Sequence, residues 1–214
     1  MASYRPKTFA VRLKKGNVKA APIKNIPLQL PFNSKAFTPE NFGYTVSFDK
    51  KGNSFAAELI GDKVTCDNIT FSIADHENKN VIKCKGDTIQ LPKEAAGKKL
   101  YILAASTDKD RKSTFLVNGK SHEFEIPYYS GFYGQWGHKG VSDGYIRNAS
   151  LAYIGSHRHT EKGNDTYIYT YMYKLGIELP QEAHTLVLPK DENIAVFAIT
   201  LSDNYIDDIS TANE

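Results

Sequence analysis

The chain has 214 residues, 41% hydrophobic and 24% charged, which excludes a chain disordered throughout and suits one large all-β domain or two small ones. Its 27 basic and 24 acidic side chains give a net charge of +3 spread along the whole length, so no basic stripe for nucleic acid is written into it. The 13 Tyr and 11 Phe outnumber the 2 Met and 1 Trp, and that aromatic excess leans toward strands.

The opening, MASYRPKTFAVRLKKG, has no apolar core of a signal peptide, and no apolar stretch reaches the ~18–20 residues of a membrane-spanning helix. Strand-like residues 8–13 follow almost at once, the pattern of a segment of a longer protein. A periplasmic, extracellular or cytoplasmic location is compatible with the residues. Period-two alternation and β-branched runs then predict strands at 9–13, 27–30, 44–48, 56–60, 64–66, 69–73, 81–85 and 88–91. Further strands are expected at 99–105, 113–117, 122–126, 150–155, 167–177, 185–188 and 194–202. No stretch sustains helical spacing. Lys51-Gly52-Asn53, Gly61-Asp62, Lys85-Gly86-Asp87 and three Leu-Pro pairs punctuate the strands. Asn118-Gly119 supplies the positive φ angles of a tight type I′ hairpin. Many short strands without helices between them predict an all-β fold, an antiparallel two-sheet β-sandwich, as one domain over residues 1–202. Within it, residues 20–42 carry Pro22, Pro27, Pro31 and Pro39 and should run extended over the surface; residues 203–214 form a polar tail.

Several clusters are candidates for function. Residues 128–138 place five aromatic rings among three glycines, including Tyr133, Gln135 and Trp136. Such a loop either stacks on the apolar face of a sugar or closes the end of the sandwich with its own rings. Ser156-His157-Arg158-His159 follows an apolar strand; if the strand continues, the two imidazoles share one face and Arg158 takes the other. Two imidazoles fall short of a zinc set, and no third ligand stands at informative spacing, so no metal site is assigned. Tyr167, Tyr169, Tyr171 and Tyr173 alternate along one strand and read as core packing with their tips toward water. The acidic segments 75–80 and 107–110 lack the glycine and terminal Glu of a calcium loop and read as turns. Cys66 and Cys84 flank an expected hairpin, where they are either free thiols or a bridge. No nucleophile elbow, phosphate loop or zinc-protease motif is present, so no catalytic residue is assigned.

Seven segments, in order, carry a family resemblance: residues 4–11, Ala57-Glu58-Leu59, residues 83–92, 100–105, 130–136, Gly155-Ser156-His157-Arg158-His159, and 185–189. Together they resemble a late β-domain of bacterial α-mannosidase-like proteins of glycoside hydrolase family 38. The resemblance implies a non-catalytic accessory domain of a retaining exo-mannosidase. In that family the zinc ion and the nucleophilic aspartate lie in a separate, earlier domain, so this chain is expected to need no cofactor of its own. Its implied partners are that catalytic domain and a mannose-containing glycan, met by Tyr133, Gln135, Trp136, His157, Arg158 and His159. The alternatives are a purely structural interdomain module and a stand-alone carbohydrate-active hydrolase.

Overall fold

The computed structural model describes residues 24–40, 46–132 and 149–203. In chain order it contains β1 (Asn25–Pro27), β2 (Phe37–Thr38), β3 (Ser54–Ala56), a 3-10 turn at Ala57–Leu59, β4 (Lys63–Cys66), β5 (Ile69–Ser72), β6 (Ile82–Lys83) and β7 (Thr88–Gln90). After a second 3-10 turn at Lys93–Ala95 come β8 (Lys99–Ser106), β9 (Arg111–Val117), β10 (Lys120–Ile126), β11 (Ser130–Phe132), β12 (Ser150–Thr160), β13 (Gly163–Glu178), β14 (Thr185–Val187) and β15 (Ile194–Ser202).

The fold is the expected all-β sandwich. A nine-stranded sheet runs β1-β15-β8-β13-β12-β3-β2, with β11 added to β13 and β6 to β15. A four-stranded sheet, β10-β9-β14-β7, packs on one of its faces, and the β4–β5 hairpin lies against the other. Among the described residues the named strands pair antiparallel, except β2 with β3.

Covering both faces of the large sheet explains why its central strands carry long, nearly continuous apolar runs. In β8 all eight residues are buried: Leu100, Ile102 and Ala104 face the core shared with the four-stranded sheet, while Tyr101, Leu103 and Ala105 face the other. In β15, Ile194 and Val196 begin on the first side and Ile199 and Leu201 finish there. Their parity changes because the register with β8 slips between Val196 and Ala198, a bulge that keeps both faces apolar. On the second side, Phe197 sits among Phe37, Phe48 and Phe55, with ring centroids 5.3–6.0 Å away.

The Asn118-Gly119 turn forms as expected, with φ of 48° and 81°, joining Val117 to Lys120. Asp67 and Asn68, at φ 51° and 63°, make the same kind of turn between β4 and β5 without glycine, which Asn and Asp tolerate best. Three expectations need correction. The strand expected at 56–60 ends at Ala56 and gives way to the 3-10 turn, because beyond Ala56 the buried apolar residues are Ala57 and Ile60, a spacing of three. The loop expected around Ser130 opens as β11, paired with Thr170, Tyr169 and Ile168. Finally, the cysteines do not flank one hairpin: Cys66 ends β4, whereas Cys84 is buried in the other core, and no disulfide joins them. Burial pushes the Cys84 thiol far above its ordinary value. The expected strand at 9–13, part of that at 44–48, and Tyr133, Gln135 and Trp136 lie outside the described residues.

Candidate functional site

β12 and β13 form a long hairpin, closed where Thr160 pairs with Gly163 at φ +106°. Its inner half belongs to the core, where Tyr171 and Tyr173 are fully buried. The tyrosine ladder does not stay there: Tyr169 is partly buried and Tyr167 is 77% exposed. The reason is a slip in register. Gly155 pairs with Thr170 but His157 pairs with Thr166, so β13 carries extra residues opposite Ser156. Tyr167, within that irregularity, has φ +67°, a conformation that costs a bulky side chain on the order of 1 kcal/mol or more. Bulges of this kind re-aim neighbouring side chains and gather beside functional sites.

Past the slip, strand alternation separates Arg158 from the two histidines as expected. Arg158 turns to Asp165 on the facing strand, its Nε 2.8 Å from Oδ2, and this partner keeps the guanidinium charged against the cost of its burial. His157 and His159 turn together, their rings stacked with centroids 5.4 Å apart.

What they meet is Glu58. β3 pairs with β12 through Phe55 opposite Arg158 and Ser54 opposite His159, and the 3-10 turn then carries Glu58 over the imidazoles. Glu58 Oε1 lies 3.1 Å from His157 Nε2 and 2.9 Å from His159 Nε2. The His159 side chain is 5% exposed, that of His157 15% and that of Glu58 28%. Burial alone would raise the Glu58 carboxyl; a backbone hydrogen bond within its own residue and the two imidazoles outweigh that and hold it below its ordinary value. Burial and then the Glu58 charge push the nearby Tyr153 hydroxyl up. The third metal-capable donor that sequence spacing did not reveal is therefore Glu58, about a hundred positions upstream on another strand's turn.

Beside this cluster lies an open groove of about 690 Å³. Buried Ala57, Ile60 and Ile73 form its apolar part, and exposed Glu40, Glu58, Asp62 and Asp75 supply carboxylates. The 75–80 segment is a turn, as expected: Asp75 accepts hydrogen bonds from Glu77 N and Asn78 Nδ2, and buried Asn80 ties the turn to Ala36. The 107–110 segment is also a turn, with Asp108 held by Arg111.

Across the sheet from the His157–His159 face, Tyr129 donates to buried Asp49 at 2.8 Å. Asp49 also accepts from Lys51 N, Asn53 N and Asn53 Nδ2, so this carboxylate is spent on structure. Among the described residues no helix is long and apolar enough to cross a membrane.

No curated protein matches the chain. The sequence model of one family does, over residues 24–205, and its description names a sandwich without naming a mannosidase. The chain belongs to the family of the AziU2-like beta-sandwich domain.

Proposed function

We propose that the chain is a non-catalytic accessory β-sandwich whose working edge, formed by the 3-10 turn and the outer β12–β13 hairpin, holds a neutral carbohydrate of the mannoside class weakly on behalf of a larger glycoside hydrolase. The observation that carries this reading is the groove beside Glu58. Its buried aliphatic residues offer a surface for the C–H face of a pyranose, and its exposed carboxylates accept hydrogen bonds from hydroxyls while repelling anionic ligands. The family resemblance to α-mannosidase-like proteins supports the ligand class. On composition alone, Tyr133, Gln135 and Trp136 supply a second sugar contact. Titrating the full chain with methyl α-mannoside and mannobiose, followed by calorimetry and NMR, should give saturable millimolar binding. Ile73→Asp should abolish binding at the groove, and Trp136→Ala should weaken it if the aromatic segment takes part. Absence of binding at tens of millimolar sugar by a folded chain overturns the carbohydrate assignment.

A second reading is favoured by a separate observation. Of the three large hydrophobic residues exposed among the described residues, Leu59 and Ile154 belong to the elements that carry Glu58 and the two histidines, and Tyr167 to β13, which pairs with β12. A companion catalytic domain docked on this edge would cover them. Failure of the sugar titration with retention of partner binding, lost on Tyr167→Ser, selects this reading.

A further inference from the structure

We infer that Glu58, His157 and His159 form a binding site for a divalent transition-metal ion of the zinc class. The donors come from two elements separated by about a hundred residues, yet Glu58 and the two histidines each bring one ligand atom, all within 4.8 Å of one another. A four-coordinate zinc ion with bonds of about 2.0–2.2 Å places neighbouring ligand atoms about 3.3–3.6 Å apart. The distances from Glu58 Oε1 to the two Nε2 atoms are 3.1 and 2.9 Å, and all three ligand atoms lie within 4.8 Å of one another, so a small opening at the carboxylate together with an adjustment of the two imidazole rings seats the ion.

The chemistry of the donor set chooses the ion. Calcium and magnesium take oxygen ligands, whereas two imidazoles and one carboxylate suit zinc and its neighbours. Three protein ligands leave a further position for water or another ligand, the pattern of an open rather than a closed zinc site. Ser156 Oγ stands 3.3 Å from His157 Nδ1. A hydrogen bond there from Nδ1–H leaves Nε2 with its lone pair free for the metal, the usual arrangement around a metal-bound histidine.

Without an ion, the lone pairs of one Glu58 oxygen suffice to accept from both imidazoles; a cation among them is held by the same three atoms through the Nε2 lone pairs. The site sits beside the bulge at Tyr167 and is held from below by Phe55, so it rests on a rigid sheet edge. This inference is independent of the carbohydrate reading and stands if mannosides do not bind.

Zinc ions titrated calorimetrically into the full chain without a polyhistidine tag should bind with one equivalent at this site and raise the thermal unfolding midpoint. Cobalt(II) in its place should show the visible bands of a four- or five-coordinate ion with imidazole ligands. His159→Ala and Glu58→Gln should each weaken zinc binding by at least about 100-fold, the upper end of what losing a mere supporting contact costs. His184→Ala, which removes an exposed histidine bonded to Glu182, should bind as the parent does. Circular dichroism separates loss of the site from loss of the fold, and Glu58→Gln keeps a hydrogen-bonding group in place. A folded parent chain that takes up no zinc, or a Glu58→Gln chain that binds it undiminished, overturns the assignment.

Discussion

Two charged clusters of this molecule are built from similar parts and organised in opposite ways. In the first, Arg111 divides its donors: Nε and one terminal nitrogen reach separate oxygens of Asp108 at 2.7 and 2.6 Å, and the other terminal nitrogen reaches Asp191 at 2.9 Å. Each Arg111 nitrogen has its own acceptor oxygen, and the result ties the β8–β9 turn to the loop before β15. In the second, two imidazole nitrogens converge on the single oxygen of Glu58. Matched donors and acceptors are the mark of a structural clamp, since each buried polar group finds a partner of its own. What sets the second cluster apart is the kind of atoms that meet: two imidazoles and a carboxylate, each able to bind a metal.

The largest effect that sharpens this contrast comes from the platform beneath the second cluster. Phe55 is fully buried, pairs in register with Arg158, and has Phe48, Tyr129 and Phe197 rings at 5.2–5.3 Å. Phe55→Ala should cost about 3–5 kcal/mol, from lost burial and the cavity left behind. His159→Ala, which deletes a member of the convergent cluster, should cost far less. Urea denaturation of both variants measures this, and equal losses would make the histidine cluster part of the core.

Gly155 gives a smaller effect at the point where β12 leaves the core. A Cβ built there would lie 2.4 Å from Thr170 Oγ1 and 2.9 Å from the Tyr153 hydroxyl. The tyrosine tip can swing aside, but the buried threonine sits on the paired strand and cannot. Gly155→Ala should therefore destabilise by about 1–3 kcal/mol, as overpacking does. Because His157 is two residues on, the same change should disturb the His157 imidazole resonances in NMR spectra while leaving those of His184 in place. Unchanged stability would mean that the sheet gives way there more easily than a packed sheet should.

How much of this was legible in the sequence follows from which interactions are local. The runs 99–105 and 194–202 read as strands because every residue after Lys99 is apolar or small, and the Asn118-Gly119 turn read itself from two residues. That the large sheet is covered on both faces was also written there, in the lack of alternation, yet alternation elsewhere suggested only two layers. Separation of Arg158 from the histidines followed from strand parity. Glu58 did not follow from anything local. It sits in an apolar run that reads as strand, and only the spacing of Ala57 and Ile60 hints at a turn. Its partners lie 99 and 101 positions away, joined through pairing of β3 with β12 that no window contains. Tyr167 failed for a related reason: its ladder is regular in sequence, and a slip in pairing with β12 breaks it.

The smallest effect concerns the structural clamp and its pH dependence. Hydrogen bonds from Arg111 hold the Asp108 carboxyl down at about 2, against an ordinary value of 3.8. A carboxyl depressed on folding stabilises the folded chain fully above its unfolded value and loses that contribution as pH falls toward its folded one. Asp108→Asn should therefore be less stable than the parent at neutral pH, and the gap should close between about pH 4 and pH 2. Since the Asp108 side chain is 34% exposed, solvent screening limits the gap to under about 1 kcal/mol. Salt should shrink it further, because partly exposed ion pairs are screened. Parallel urea titrations of parent and variant at pH 7 and pH 2.5, each with and without added salt, measure all three outcomes. A gap that persists undiminished at pH 2.5 would show that Asp108 acts through its backbone turn, where Lys109 N also bonds its side chain, rather than through its charge.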